Sequence, residues 1–140
     1  MEQLQNIVYV STQARELDDS DIEYLLKKAR ERNLEYNITG LLLLCHGCFM
    51  QYIEGEKTAL NEIYKIILED KTHRHIIECL NEEIDKREFS EWSMAYSKVE
   101  QKTFDDLSNA DWLEKKGSPD GYGKPMLFNF WKTNNRHRKR

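Results

Sequence analysis

Cys45-His46-Gly47-Cys48 is the first arrangement in this chain whose residue types and spacing could do chemistry. Two thiols two residues apart suit a zinc knuckle or a dithiol redox centre. A structural zinc site needs four ligands, and Cys79 is the only further cysteine. A thioredoxin-type pair opens a helix, where the helix dipole lowers the thiol pKa, but His46-Gly47 has the character of a tight hairpin turn. The expectation is therefore two cysteines ending paired strands, with no metal. The histidines are scattered. His73 and His75 stand near the end of a helical segment, where they could meet a phosphate or cap a carbonyl. No Ser-His-Asp set, paired carboxylates or glycine-rich phosphate loop stands out. A sharper arrangement comes from alternation. Tyr9 shares a strand face with Ile7 and Ser11, Gln51 with Phe49 and Ile53, and Met94 with Trp92 and Tyr96. A tyrosine and a glutamine on neighbouring central strands, facing helices, would be polar groups inside an apolar layer. Left unpaired they would cost about 1–3 kcal/mol each. They either satisfy each other in the core or bind a planar, polar-edged ligand between the helices.

The elements that must position these residues are legible in the pattern. Residues 6–12 (NIVYVST) are β-branched and alternate like a strand. Asp18-Asp19-Ser20 offers N-caps, after which Ile22, Leu25, Leu26 and Ala29 form one helical face, in a helix expected to end near Asn33. Residues 38–44 (ITGLLLL) read as a strand buried on both faces, and residues 48–53 as its hairpin partner. Residues 58–70 set Leu60, Ile63, Tyr64 and Ile67 on one helical face. Fourth and fifth strands are expected over 76–83 and 92–99. The order β-α-β-β-α-β-β predicts an α+β fold, a ferredoxin-like sheet with two helices on one face. Phe104 to Trp112 has helical spacing, so a C-terminal helical extension is expected over 101–131, followed by a basic, disordered tail over 132–140.

Charge and composition narrow the possible functions. The net charge is −4, but residues 132–140 (KTNNRHRKR) carry five basic groups and no acid. The acidic remainder argues against a nucleic-acid-binding surface on the domain. No apolar run approaches the eighteen or so residues that cross a membrane. Met1-Glu2-Gln3 has no signal-peptide character, and three cysteines suit a reducing compartment, so a cytoplasmic location is expected. In 140 residues there is room for one domain and an extension.

From Ile7 to Tyr96 the chain resembles the BLUF domain, the sensor of blue light using FAD. The residues that carry the resemblance are Tyr9-Val10-Ser11 and Asn33, the latter five residues before Ile38-Thr39-Gly40-Leu41-Leu42. They continue with Phe49-Met50-Gln51, Ile53-Glu54-Gly55, Asp70-x-x-His73 and Phe89-x-x-Trp92-Ser93-Met94. Each piece is weak, but together they are specific in order and spacing. The resemblance implies FAD held between the two helices, over a photosensor of residues 1–100. It implies that Tyr9 hydrogen-bonds Gln51, that Gln51 bridges to the flavin near N5 and the C4 carbonyl, and that Asn33 binds the C4 and N3 edge. Arg32 falls at a variable polar position near the ring, while Leu25 and Ile66 fall where aliphatic side chains sandwich it. Lys65, Asp70 and His73 fall where the ribityl and phosphate portions are handled. Lys65 replaces a commoner arginine and so loses the bidentate fork, and Ala29 replaces a hydroxyl residue. Trp92 and Met94 belong to the strand that responds to Gln51, and Trp92 is a competing electron donor.

The expected function is a short, stand-alone blue-light receptor rather than an enzyme. A Tyr9, Gln51, Trp92 and Met94 switch would signal to a downstream partner protein or through a change in self-assembly as a homo-oligomer. The C-terminal extension, with Phe104, Leu107, Trp112 and residues 126–131, is expected to cover the sheet face opposite the flavin. Rival expectations are a thiol-redox protein using Cys45 and Cys48, and a light-blind ferredoxin-like interaction module. The sequence leaves FAD, FMN and riboflavin open, with FAD the implied cofactor.

Overall fold

A computed structural model of the chain describes residues 3–90 and 93–98. The expected C-terminal extension, the basic tail and Trp92 lie outside these residues. The order of elements is β1 (Leu4–Gln13), α1 (Asp19–Tyr36), β2 (Thr39–Cys45), β3 (Cys48–Glu56), α2 (Lys57–Glu69), β4 (His73–Ile84) and β5 (Ala95–Lys98). The five strands form one sheet in the order β4-β1-β3-β2-β5. Every neighbouring pair is antiparallel except β2 with β5, which run parallel. This is the expected ferredoxin-like arrangement.

Alternation divides the core into two layers. Ile7, Tyr9, Leu42, Phe49 and Ile53 face Ile22 and Leu26 of α1 and Leu60, Ile63 and Ile67 of α2, so both helices lie on one face. Val8, Leu41, Leu43, Met50, Tyr52 and Phe89 pack together on the other face. Every residue of β2 is buried, as its continuous apolar run requires. No helix among the described residues is long and apolar enough to cross a membrane.

Local chemistry sets most boundaries. Asp18 caps α1 in a capping box: its carboxylate accepts from Asp21 N at 2.8 Å, and Asp21 Oδ2 accepts from Asp18 N at 3.1 Å. The helix runs to Tyr36, past the expected end near Asn33, because no residue breaks it before Asn37. Asn37 takes the left-handed conformation at φ 56°, one that asparagine tolerates, and Ile38 N then donates back to the Asn33 carbonyl at 2.8 Å. His46 and Gly47 both have positive φ, 43° and 84°, as a two-residue hairpin turn demands. β4 begins at His73, three residues before the expected start. Its pairing with β1 is irregular between Val8 and Tyr9 and between Val10 and Thr12.

The fifth strand corrects the expectation at its start. Ladder pairing begins at Ala95 rather than at 92. The Ser93 and Met94 carbonyls are taken by α1 instead, through Asn33 Nδ2 at 2.6 Å and Arg30 Nε at 3.0 Å. Met94 and Tyr96 do share the helix-facing layer.

Gly40 lies on β2 where an added Cβ would overlap the carbonyl oxygen of Tyr52 on β3. Overpacking of a well-packed interior costs about 1–3 kcal/mol, and here the obstacle is backbone. Gly40→Ala is expected to lower the unfolding free energy by at least the upper end of that range, measured by denaturant titration.

Candidate functional site

The site is built on the pairing of β1 with β3. Tyr9 and Gln51 are direct cross-strand partners, and both side chains point at the helices. Tyr9 Oη donates to Gln51 Oε1, and both residues are buried. The Gln51 amide in turn donates from Nε2 to Met94 Sδ at 3.6 Å. A glutamine amide offers two donors and two acceptor lone pairs, so Gln51 keeps hydrogen-bonding capacity beyond these two contacts.

Next to this pair lies a cavity of about 320 Å³ between α1 and the C-terminal end of α2. Its floor is Tyr9, Leu42, Phe49 and Gln51. One wall is Leu25, Ala29 and Arg32 of α1, and the other is Ile67, Asp70, Thr72 and His73. Arg15, Leu17, Asp21, Tyr24 and Lys28 complete the lining, with the Arg15 guanidinium 3.2 Å from Asp21 and Lys28 Nζ 5.5 Å from the Tyr24 ring centre. The two alternatives for Tyr9 and Gln51 thus coincide: they satisfy each other and also face a cavity.

Two buried polar atoms on consecutive residues of α1 have no protein partner, Arg32 Nε and Asn33 Oδ1. Asn33 is wholly buried and spends its amide nitrogen on the Ser93 carbonyl. Orphaned groups of this kind cost about 1–3 kcal/mol each. A planar ligand with donors and acceptors along one edge is what such atoms, the Gln51 amide and the apolar walls would accept, and an isoalloxazine ring has that chemistry.

His73 is held at both nitrogens. Nε2 lies 2.9 Å from the Ile67 carbonyl, which can only accept, so Nε2 carries a hydrogen. Nδ1 lies 2.8 Å from Ser11 Oγ, and the ring centre is 5.8 Å from that of Tyr9. Asp70 Oδ1 accepts from Thr72 N and Thr72 Oγ1, both at 2.9 Å, which shapes the turn into β4.

Of the residues expected at the site, the cavity lining brings together Tyr9, Leu25, Arg32, Gln51, Asp70 and His73. Met94 reaches the site through Gln51, and Asn33 through its unpartnered oxygen. Lys65 and Ile66 are exposed on α2 and outside the lining. Sequence reasoning missed Arg15, Tyr24, Lys28 and Thr72. The α1 members could have been found, because Asp21, Tyr24, Leu25, Lys28, Ala29 and Arg32 recur at helical spacing. Arg15 and Thr72 come from loops and carry no such signal. Cys45 and Cys48 are thiols directly opposite each other across the hairpin turn, and neither lines the cavity. Among the described residues no three His, Cys, Asp or Glu side chains converge as metal ligands would.

A ferredoxin-like sheet with a buried tyrosine–glutamine pair at the floor of an inter-helix cavity has the architecture of a small-molecule-binding domain. A family model described as sensors of blue-light using FAD, the BLUF domain, matches residues 4–95. The chain belongs to this family, whose domain senses blue light using FAD. The solved dark-state structure of BlrB, a BLUF protein, superposes with a TM-score of 0.69 at 31% identity, covering 92% of this chain and 96% of BlrB. A photoactivated adenylate cyclase subunit beta of Euglena longa is 30% identical over 92 residues, 65% of this chain and 11% of that protein. The blue light- and temperature-regulated antirepressor BluF of Escherichia coli (strain K12) is 30% identical over 89 residues, 64% of this chain and 22% of that protein. The matched stretch is thus a minor part of these curated relatives.

Burial governs the tyrosines around the site. It pushes the Tyr9 phenol far above its ordinary value, only partly opposed by Arg32, with Tyr64 and Asp70 raising it further. Tyr64 is pushed up to about 12, by burial first and then by Glu78. A phenol raised in this way stabilises the fold fully below its unfolded value of 10.0, where both states are neutral. Above that pH the unfolded chain ionises first, and for Tyr64 the stabilisation is lost as pH rises through about 12. The unfolding free energy should therefore fall between pH 10 and 12, and Tyr64→Phe should make that fall shallower in denaturant titrations at stepped pH.

Proposed function

We propose that this chain is a blue-light photoreceptor whose switch is the Tyr9–Gln51 pair, with FAD in the cavity beside it. The observation that carries the proposal is the hydrogen bond from Tyr9 Oη to Gln51 Oε1 in the buried floor of that cavity. When bound, the flavin supplies the blue-light absorption and a transient place for one electron and one proton.

Each residue then has a definite task. Tyr9 would supply one electron from its ring to the flavin and pass its Oη proton along the bond to Gln51, and would take both back afterwards. Burial holds Tyr9 protonated beforehand, so the proton is present to move. Gln51 exchanges its donor and acceptor ends by rotation or tautomerism, which changes what it offers Met94. Asn33, anchored on the Ser93 carbonyl, presents Oδ1 to a ring N–H of the bound ligand. Arg32 would supply a further donor, and Leu25 would pack on the ring. Arg15, Lys28 and Arg32 are the lysine and arginine cations of the cavity lining, which Lys65 does not join; Arg15 and Lys28 would serve the phosphates, and Asp70 and His73 would stand beside the ribityl chain. Trp92 and Met94 pass the change in Gln51 to the rest of the chain. The output is contact with a partner protein or altered self-assembly.

Purified protein should be yellow, and blue light should shift its flavin absorption slightly to the red, with recovery in the dark. Tyr9→Phe and Gln51→Leu should each keep the flavin and lose the reversible shift, as read by light-minus-dark spectra. A normal photocycle in either variant would refute the switch. Cys48→Ser should leave the shift intact, which a thiol-redox function would not predict. Lys28→Gln should weaken FAD by several-fold in fluorescence titrations and leave riboflavin, which has no phosphate, unchanged.

A further inference from the structure

Glu54 is a wholly buried carboxylate on β3, three residues beyond Gln51. An ionised carboxylate away from water is costly unless its oxygens are fully hydrogen-bonded. Here four donors meet it. Oε1 accepts from Tyr52 Oη at 2.9 Å and Glu88 N at 2.8 Å, and Oε2 accepts from Thr39 Oγ1 and Phe89 N, both at 2.8 Å. Arg87 reinforces the same place by donating to Thr39 Oγ1 at 2.9 Å, to the Glu54 carbonyl at 3.3 Å and to the Asn37 carbonyl at 2.8 Å. Burial and the neighbouring Glu54 hold the Tyr52 phenol well above its ordinary pKa, so it remains a donor.

The two backbone donors belong to the connection between β4 and β5. That connection leaves one edge strand and enters the other, with β1, β3 and β2 between them. It also changes face: Phe89 is buried opposite the helices, whereas Met94 is buried on the helix side. Its far end is tied to α1 by Asn33 at the Ser93 carbonyl and by Arg30 at the Met94 carbonyl. Only three residues separate Phe89 from Ser93. A chain that short reaches at most about 3.6 Å per residue, so fixing Phe89 restricts where Met94 can stand.

We propose that Glu54 is a positioning residue of the switch: its buried carboxylate clamps Glu88 and Phe89 to β3 and thereby sets how Met94 meets Gln51. The proposal rests on the Tyr9–Gln51 switch. Glu54 does not line the cavity, so it would act through Met94.

Glu54→Gln tests the clamp with little change of shape. Each carboxylate oxygen takes one hydroxyl and one backbone N–H. A hydroxyl can turn to accept, but an N–H cannot. An amide in either orientation therefore sets its NH2 against one backbone donor. The expected result is a flavin-loaded protein that still shifts in light, with a dark-recovery rate changed at least threefold. In a Met94→Ala background the same substitution should change that rate less than 1.5-fold. An unchanged rate, or an equal effect in both backgrounds, would overturn the clamp. If Glu54→Gln does not fold, hydrogen exchange of the unmodified protein decides. The Glu88 and Phe89 amides should change exchange rate at least threefold between dark and continuous blue light, and equal rates would overturn the proposal. An unmodified protein with no light-induced shift would remove the switch itself and the clamp with it, an outcome distinct from a normal shift with an indifferent Glu54.

Discussion

The buried cross-strand pair of Tyr9 and Gln51 is the constraint on which the site depends. Two polar side chains stand in a layer otherwise made of Ile7, Leu42, Ile53, Leu60 and Ile63, and each answers the other's hydrogen-bonding need. Such a pair tolerates no slip in register. A one-residue shift of β3 would turn Gln51 to the opposite face and bring Met50 or Tyr52 toward the helices. The two-residue turn at His46 and Gly47 prevents that shift on one side by fixing Leu42 opposite Gln51. On the other side, β1 meets β3 through nine consecutive pairs without a bulge. The irregularities of the sheet are confined to β4, where they leave the switch pair undisturbed.

Much of this was legible before any coordinates. Alternation put Tyr9 and Gln51 on the helix-facing side of their strands, whereas their direct pairing is a matter of register that alternation alone does not give. The helix α1 was legible from Ile22, Leu26 and Ala29, since an apolar face at helical spacing has no other use. Three features were illegible for identifiable reasons. The start of β5 depends on two carbonyls captured by Arg30 and Asn33, a tertiary event invisible to local pattern. Arg15 and Thr72 enter the cavity lining from loops, where spacing carries no information. Glu54 stands in the sequence only as part of Ile53-Glu54-Gly55, and its burial among four converging donors is a tertiary feature.

The unpartnered Arg32 Nε and Asn33 Oδ1 connect stability to function. A domain carrying such groups is less stable than its packing allows, and a ligand that satisfies them returns that free energy as affinity. A cofactor bound there would thus be part of the folded state's energetics. Asn33, whose Oδ1 has no protein partner, also holds the Ser93 carbonyl. An unspent acceptor, α1 and the approach to β5 therefore meet in one side chain.

That convergence bears on how a change at Gln51 could leave the domain. β5 is a strand of four residues at the edge of the sheet, joined to β2 by parallel pairing. Parallel ladders are slightly weaker per residue than antiparallel ones, and a short edge strand has few bonds to break. By contrast β1, β2 and β3 are locked by long antiparallel ladders and by close backbone approach at Gly40. Apart from Tyr9 and the cavity it lines, the Gln51 amide contacts the thioether of Met94, at the threshold of β5. β5 leads directly into residues 99–140, so under the proposed switch a disturbance of that strand would pass along the chain.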